Sequence, residues 1–254
     1  MRYALSISYD GTNYGGWHIQ PNSVTVQSKM EEAARDLFGV PTPVVASGRT
    51  DSGVHARAQV CHFDAETSIP SGKIADALNM RLPEDISVIA SATAPEGFDS
   101  NRSAKKKTYC YRLYFSPRRY PLKDRYWAWV KGSVDIGKMI SAARYFEGEH
   151  DFRAYSKSGS TAKTTVRTVY SVEVKYSENT GVTDVEVYVT GNGFLYNMVR
   201  TIAGTMLNFA QGAIDEDRVR RSLEDGDREL AGKTMPACGL TLESVDYGIK
   251  IFDF

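Results

Sequence analysis

Apolar and polar residues alternate at the start of the chain. Tyr3, Leu5, Ile7 and Tyr9 fall on one face, and Ala4, Ser6 and Ser8 on the other. Period two predicts a half-buried strand, and Asp10-Gly11 predicts the turn that ends it. From Val26 the period lengthens. Met30, Ala33, Ala34, Leu37 and Phe38 form a helical stripe that stops at Gly39. Val44 and Val45 begin another strand, which runs into Gly48-Arg49-Thr50-Asp51-Ser52-Gly53, and residues 58–63 read as its partner. A helix over 71–80 and a strand over 86–90 follow.

The second half repeats the recipe. Tyr109, Tyr111, Leu113 and Phe115 share one strand face, and Ile136, Met139, Ile140 and Ala143 make a helical stripe closed by Gly148. Residues 149–165 are polar and read as a long surface loop. Val166, Thr168, Tyr170, Val172 and Val174 alternate, as do Val185, Val187 and Val189, with a hairpin connection over 177–181. Residues 194–210 read as an apolar helix, 215–224 as a short charged one, and 240–247 as a last strand. This mixture predicts an α+β fold with an antiparallel or mixed sheet. The chain is expected to divide into 1–103, which carries the Asp51 loop, and 104–254, which carries the Tyr109 strand and the Arg200 helix.

Composition narrows the class. With 254 residues, 42% apolar, 24% charged and a net charge of zero, the chain is long enough for a core and is not intrinsically disordered. No run approaches the ~18 apolar residues of a membrane span. The opening residues hold no long apolar stretch, so no secretory signal is expected. Three widely spaced cysteines, Cys61, Cys110 and Cys238, give no disulfide framework and suit a reducing cytoplasm. There is no CxxC or HxxxH, and neighbours Cys61 and His62 face opposite ways on a strand, so no metal site is expected.

The zero net charge hides a cluster. Arg102, Lys105, Lys106, Lys107, Arg112, Arg118, Arg119, Lys123 and Arg125 are nine basic residues against one acid, Asp124, a net +8. Tyr109, Tyr111, Tyr114, Phe115 and Tyr120 interleave them. Cations pair with phosphates and aromatic faces stack on unpaired bases. The segment is either a solvated loop beside a strand or a nucleic-acid surface.

Two further places could carry chemistry. In Gly48-Arg49-Thr50-Asp51-Ser52-Gly53 the glycines either serve a plain turn or lift Asp51 into a cleft. Arg200 lies on a mostly apolar stripe with Tyr196, Ala203 and Leu207. A guanidinium there must be paired with an anion or reach water along its stem.

Together these segments resemble the tRNA pseudouridine synthase A family. The resemblance is carried by Tyr9-Asp10-Gly11-Thr12 with Tyr14, Gly16, Trp17, Gln20 and Pro21; by Gly48-Arg49-Thr50-Asp51 with Gly53-Val54-His55-Ala56 and Gln59; and by Lys107-Thr108-Tyr109 with Tyr111. It continues in Gly148-Glu149-His150-Asp151-Phe152, in Gly193-Phe194 with Asn197-Met198-Val199-Arg200 and Gly204, and in residues 237–240 with Val245-Asp246-Tyr247. The matches follow the family's order over nearly the whole chain. One departs: the family usually has an Arg three residues after the Phe read here as Phe98, where this chain has Asn101 and then Arg102.

The resemblance implies two ferredoxin-like halves sharing a mixed, mainly antiparallel sheet with flanking helices and a central cleft. It implies a cytoplasmic homodimer that isomerises uridines of the tRNA anticodon stem–loop to pseudouridine, without cofactor or metal. Asp51 is then the catalytic carboxylate, acting as nucleophile or as base at the ribose, with Arg200 as its counter-charge. Tyr109 stacks on the isomerised base or helps deprotonate it. Arg49 contacts backbone or fills the vacated space, Leu240 packs on the flipped uracil, and Lys105, Lys106 and Lys107 meet phosphates. A non-catalytic binder of structured RNA would gain nothing from Asp51 beside phosphates. A metal-dependent nuclease would need clustered carboxylates where the motif offers one.

Overall fold

The computed structural model describes residues 1–156 and 163–252. Ten strands and five α-helices among them make the fold α+β. Contacts divide the chain into two units: Met1–Lys107 with Thr241–Phe254, and Thr108–Leu240.

In the first unit β1 (Arg2–Tyr9) lies antiparallel to both of its neighbours, β3 (His55–Asp64) and β4 (Ile86–Thr93). The short β2 (Val45–Ala46) pairs with β3. Alternation along β1 predicts one wet face, yet Ala4 and Ser6 are buried as fully as Leu5 and Ile7. α1 (Val26–Phe38) starts at a capping box, in which the Thr25 hydroxyl accepts from Ser28 N–H and the Ser28 hydroxyl accepts from Thr25 N–H. Such a cap contributes about 1 kcal/mol. The expected helix over 71–80 is a 3-10 turn, Ser71–Lys73, leading into α2 (Ile74–Asn79), which buries Ile74, Ala75 and Leu78.

The second unit holds β5 (Lys106–Ser116) from Thr108 onward, β6 (Ala128–Lys131), β7 (Gly148–Asp151), β8 (Val166–Asn179) and β9 (Val182–Gly191). Their order is β5-β9-β8-β7, with β6 parallel on β5 and antiparallel pairs at β7–β8 and β8–β9. α3 (Ile136–Ala143), α4 (Met198–Ala210) and α5 (Glu216–Glu224) complete it. Asp135 and Asp215 cap α3 and α5 by accepting from the Lys138 and Arg218 N–H groups.

Four expectations change. Residues 149–155 are not surface loop: β7 leads into a 3-10 turn over Phe152–Tyr155, and Phe152, Ala154 and Tyr155 are fully buried. Polar neighbours hid these anchors; residues 157–162 of the expected loop lie outside the described residues. The helix expected from 194 begins only at Met198, because Asn197 adopts a left-handed φ of 67° that no helix continues through. The hairpin connection over 177–181 shrinks to Thr180 and Gly181, whose φ values of 41° and 79° suit a two-residue turn. The fourth concerns the division of the chain. The C-terminal strand β10 (Leu240–Asp246), placed in the second half by sequence order, lies parallel to β3, with Thr241 opposite His55 and Leu242 opposite Ala56. Its pairing therefore returns the chain's end to the first unit, and the units are not the contiguous spans 1–103 and 104–254.

Candidate active site

Asp51 sits half-buried on a turn that leads into β3, closed by Val54 N–H donating to the Asp51 carbonyl at 3.1 Å. Both flanks of the turn are fixed. Upstream, Ser47 N–H donates to the Val60 carbonyl at 2.7 Å and the Ser47 hydroxyl donates to Gln59 Oε1 at 2.5 Å. Downstream, Gly53 N–H reaches the Tyr14 carbonyl at 3.3 Å. Between them, Trp17 N–H donates to the Thr50 carbonyl at 3.1 Å, and Tyr9 Oη shares a 2.8 Å hydrogen bond with Thr50 Oγ1. Burial pushes the Tyr9 phenol well above its ordinary pKa, so the bond joins two neutral hydroxyls.

The close approach of residues 14–17 to this turn depends on Gly16. Its φ of 93° is left-handed, and a Cβ there would stand 2.4 Å from the Thr50 carbonyl oxygen and 3.0 Å from Asp51 C. The opening motif is thus the brace of the Asp51 turn. His55 belongs to the brace too, with Nδ1 accepting from Gly11 N–H at 3.0 Å. Tyr14 donates to the Asp85 carboxylate, joined by Asn13 Nδ2 at 3.1 Å. Sequence reasoning missed Tyr9, Tyr14 and Trp17 as positioning groups; their signal was only their place in the opening motif.

Of the candidate binding residues in this unit, Arg49, Lys105 and Lys106 are exposed. Lys107 is half-buried and donates to the Ser47 carbonyl at 2.5 Å, at the entry to the turn. Asn101, standing where an Arg was expected, gives its amide to the same carbonyl at 2.7 Å.

In the second unit Arg200 lies in the first turn of α4, half-buried. Its Nε donates to the Met235 carbonyl at 2.7 Å and Nη1 to Asn197 Oδ1 at 2.9 Å. Met235 N–H returns to the Arg200 carbonyl at 3.3 Å. Segment 233–236 can lie this close to α4 because residue 204 is glycine: a Cβ there would stand 1.9 Å from the Lys233 carbonyl oxygen. Tyr109 is buried and meets Phe194 edge to face at 5.2 Å. Tyr111, its neighbour on the strand face, is fully buried and donates to the Pro236 carbonyl at 2.7 Å. Burial raises the Tyr111 phenol far above its usual range, so it is neutral. Leu240 is buried.

The basic-aromatic segment is not one RNA-facing surface. Tyr109, Tyr111, Tyr114 and Phe115 are core residues, and of its five aromatics only Tyr120 is exposed. Arg112 is buried against Glu186 at 2.8 Å. Lys123 pairs with Asp184 and lies over the Trp127 ring at 4.8 Å. β5 is buried on both faces from Tyr109 to Ser116, so its rings serve the core, and Lys123 lies over the Tyr114 ring at 5.5 Å. Arg102, Lys105, Lys106, Arg118, Arg119 and Arg125 remain on the surface.

Among the described residues no three His, Cys, Asp or Glu side chains gather as metal ligands, and no helix is long and apolar enough to cross a membrane. Burial raises the thiol pKa of Cys61 and of half-buried Cys238.

A family model described as tRNA pseudouridine synthase matches residues 5–100 and 142–248. Relatives named tRNA pseudouridine synthase A are 42% identical in Ruminiclostridium cellulolyticum, over 96% of this chain and 98% of the relative, and 43% identical in Pelobacter propionicus over the same shares. One from Shouchella clausii is 40% identical over 99% of this chain and 95% of its own. Among solved structures, a Cbf5–Nop10–Gar1 complex matches at 12% identity and a TM-score of 0.34, covering 95% of this chain and 58% of that one, a likeness too slight to bear on function. The chain belongs to the tRNA pseudouridine synthase family and is an isomerase of that family.

Proposed function

We propose that the protein converts uridine to pseudouridine in the anticodon stem–loop of tRNA, with Asp51 acting on the reacting nucleotide. The observation that carries this reading is the Asp51 turn, a single carboxylate held by braced backbone on both sides. Preorganisation of that kind serves catalysis more than it serves adhesion to RNA.

The reaction breaks the bond from uracil N1 to ribose C1′ and forms one from C5 to C1′. C5 gives up a proton and N1 gains one, so the product is an isomer and no electrons enter or leave. No redox or energy cofactor is required by that balance. The target base must leave its stack, at a cost of a few kcal/mol, which contacts to phosphate offset. Asp51 acts as a carboxylate on the ribose, either by attack at C1′ or by removing a ribose proton. Arg200 is its functional counter-charge, Tyr109 attends the isomerised base, Leu240 packs on the uracil, and Arg49 fills the vacated place or holds backbone. Lys105 and Lys106, both exposed, are the phosphate contacts. The reading includes a homodimer working in the cytoplasm, on the strength of the family resemblance.

The test is to map pseudouridine in prefolded tRNA after incubation with the purified protein, with and without excess chelator. New pseudouridine in the anticodon stem–loop, unaffected by chelator, is expected. A protein that binds tRNA but leaves every uridine unchanged is an RNA binder, and the reading fails.

A further inference from the structure

Three lysines stand in a row at 105, 106 and 107, and charge alone assigns them one role. Their surroundings do not. Lys105 and Lys106 are exposed, whereas Lys107 is half-buried with its ammonium 2.5 Å from the Ser47 carbonyl oxygen. Gly48 lies beneath it, since a Cβ there would stand 3.0 Å from Lys107 Nζ.

Ser47 is fully buried, and every polar group it carries has a partner. Its N–H goes to Val60, its hydroxyl to Gln59, and its carbonyl accepts from both Lys107 and Asn101, the latter at 2.7 Å. Gln59 also donates to the Gly48 carbonyl at 2.9 Å. Asn101 is fixed in turn: its N–H donates to Asp99 Oδ1 at 2.9 Å, and neighbouring Ser100 is bonded to His62 and to the Val45 carbonyl. The peptide joining Ser47 to Gly48 is therefore clamped by two side-chain donors, four residues before Asp51 in sequence.

We propose that Lys107 and Asn101 are positioning residues for the Asp51 turn, and that the Lys107 ammonium serves this peptide and not a phosphate of the substrate. A charged donor on a buried carbonyl makes a stronger hydrogen bond than a neutral one. Without it the peptide can rotate, and the carboxylate downstream loses its aim. A misplacement on the order of 1 Å at a reacting group costs roughly 100-fold in rate.

The inference rests on the proposed isomerase activity, so wild-type turnover is measured beside each variant. Lys107→Met keeps the stem and removes the donors; Lys107→Arg restores a donor. Single-turnover pseudouridine formation at saturating tRNA should fall about 10- to 100-fold in Lys107→Met and recover in part in Lys107→Arg. Affinity for tRNA, and its dependence on salt, should stay near those of wild type. Lys105→Met with Lys106→Met should instead lower the logarithmic salt slope of tRNA binding by about 0.7–0.9 for each phosphate no longer neutralised. Asn101→Leu removes only the second donor, should slow turnover in the same sense, and decides the matter if Lys107→Met does not fold. A Lys107→Met enzyme with wild-type rate, or with normal saturated rate and a reduced salt slope, overturns the proposal. So does an Asn101→Leu enzyme of full rate. Inactive wild type would instead sink the isomerase reading itself.

Discussion

Asp51 is carried on a turn between strands, and Arg200 on the first turn of a helix. Around Asp51 the backbone is irregular, and its course is set by bonds from residues far away in sequence: Tyr9, Tyr14, Trp17, Gln59, Asn101 and Lys107. Around Arg200 the helix supplies its own ladder, supplemented by the bonds exchanged with Met235. Close backbone contacts at both places depend on glycines, but at different partners. Gly16 lets a loop press on the Asp51 peptide itself, while Gly204 lets a loop press on the helix one turn beyond Arg200. The turn is therefore the more delicate of the two: its shape is the sum of many weak bonds, whereas the helix is shaped by its backbone.

The sharpest test removes the charge at each place. Asp51→Asn keeps size and removes the charge, so single-turnover tritium release from C5-labelled uridine in tRNA should fall below detection while tRNA binding persists. Arg200→Ala should lose most of the activity, and the double variant should be no worse than Asp51→Asn alone, because residues that act together are not additive. Near-normal turnover by Asp51→Asn would reject the assignment of Asp51.

Next in size are the glycines. Gly204→Ala drives a methyl into the Lys233 carbonyl, and Gly16→Ala combines overlap with a left-handed backbone. Each should cost about 1–3 kcal/mol of stability by urea unfolding. At matched stability Gly16→Ala should lose more turnover than Gly204→Ala. The opposite ranking would mean that the helix end, not the turn, is the sensitive element.

The smallest effect concerns acid, and it bears on the turn's side of the comparison. His62 Nδ1 accepts from Ser100 N–H at 3.1 Å, which requires a neutral ring nitrogen, and burial lowers the His62 pKa. In the unfolded chain a histidine titrates near 6.5. Just below that pH the unfolded state binds more protons than the folded one, so stability falls as pH drops through this range toward the lower folded value. His62→Gln should blunt the fall in thermal unfolding measured between about pH 8 and 5. Identical profiles would remove His62 from the support of Ser100 and Asn101.

Local pattern made most elements legible. Alternation marked β1, β8 and β9, and the spacing from Val26 to Phe38 marked α1 to the residue. It failed where a single residue overrules its neighbours, as the left-handed Asn197 does at the start of α4, or where two buried rings lie in polar company, as Phe152 and Tyr155 do. The turn that carries Asp51, between β2 and β3, was legible from its flanking glycines. The separate fates of Lys105, Lys106 and Lys107 were not, because strand direction and depth decide which ammonium reaches a carbonyl. The charge cluster misled for the same reason: Arg112 and Lys123 are spent on Glu186 and Asp184, partners distant in sequence.

The placement of β10 has a consequence for how the chain is made. β3 leaves the ribosome early, yet its partner at His55 and Ala56 is Thr241 and Leu242, translated after the whole of Thr108–Leu240. Throughout that interval this stretch of β3 is an open edge, able to accept the wrong strand. The nascent N-terminal unit cannot finish folding as it emerges; it must wait for the end of the message, and a ribosome stalled before Thr241 holds a chain exposed to aggregation.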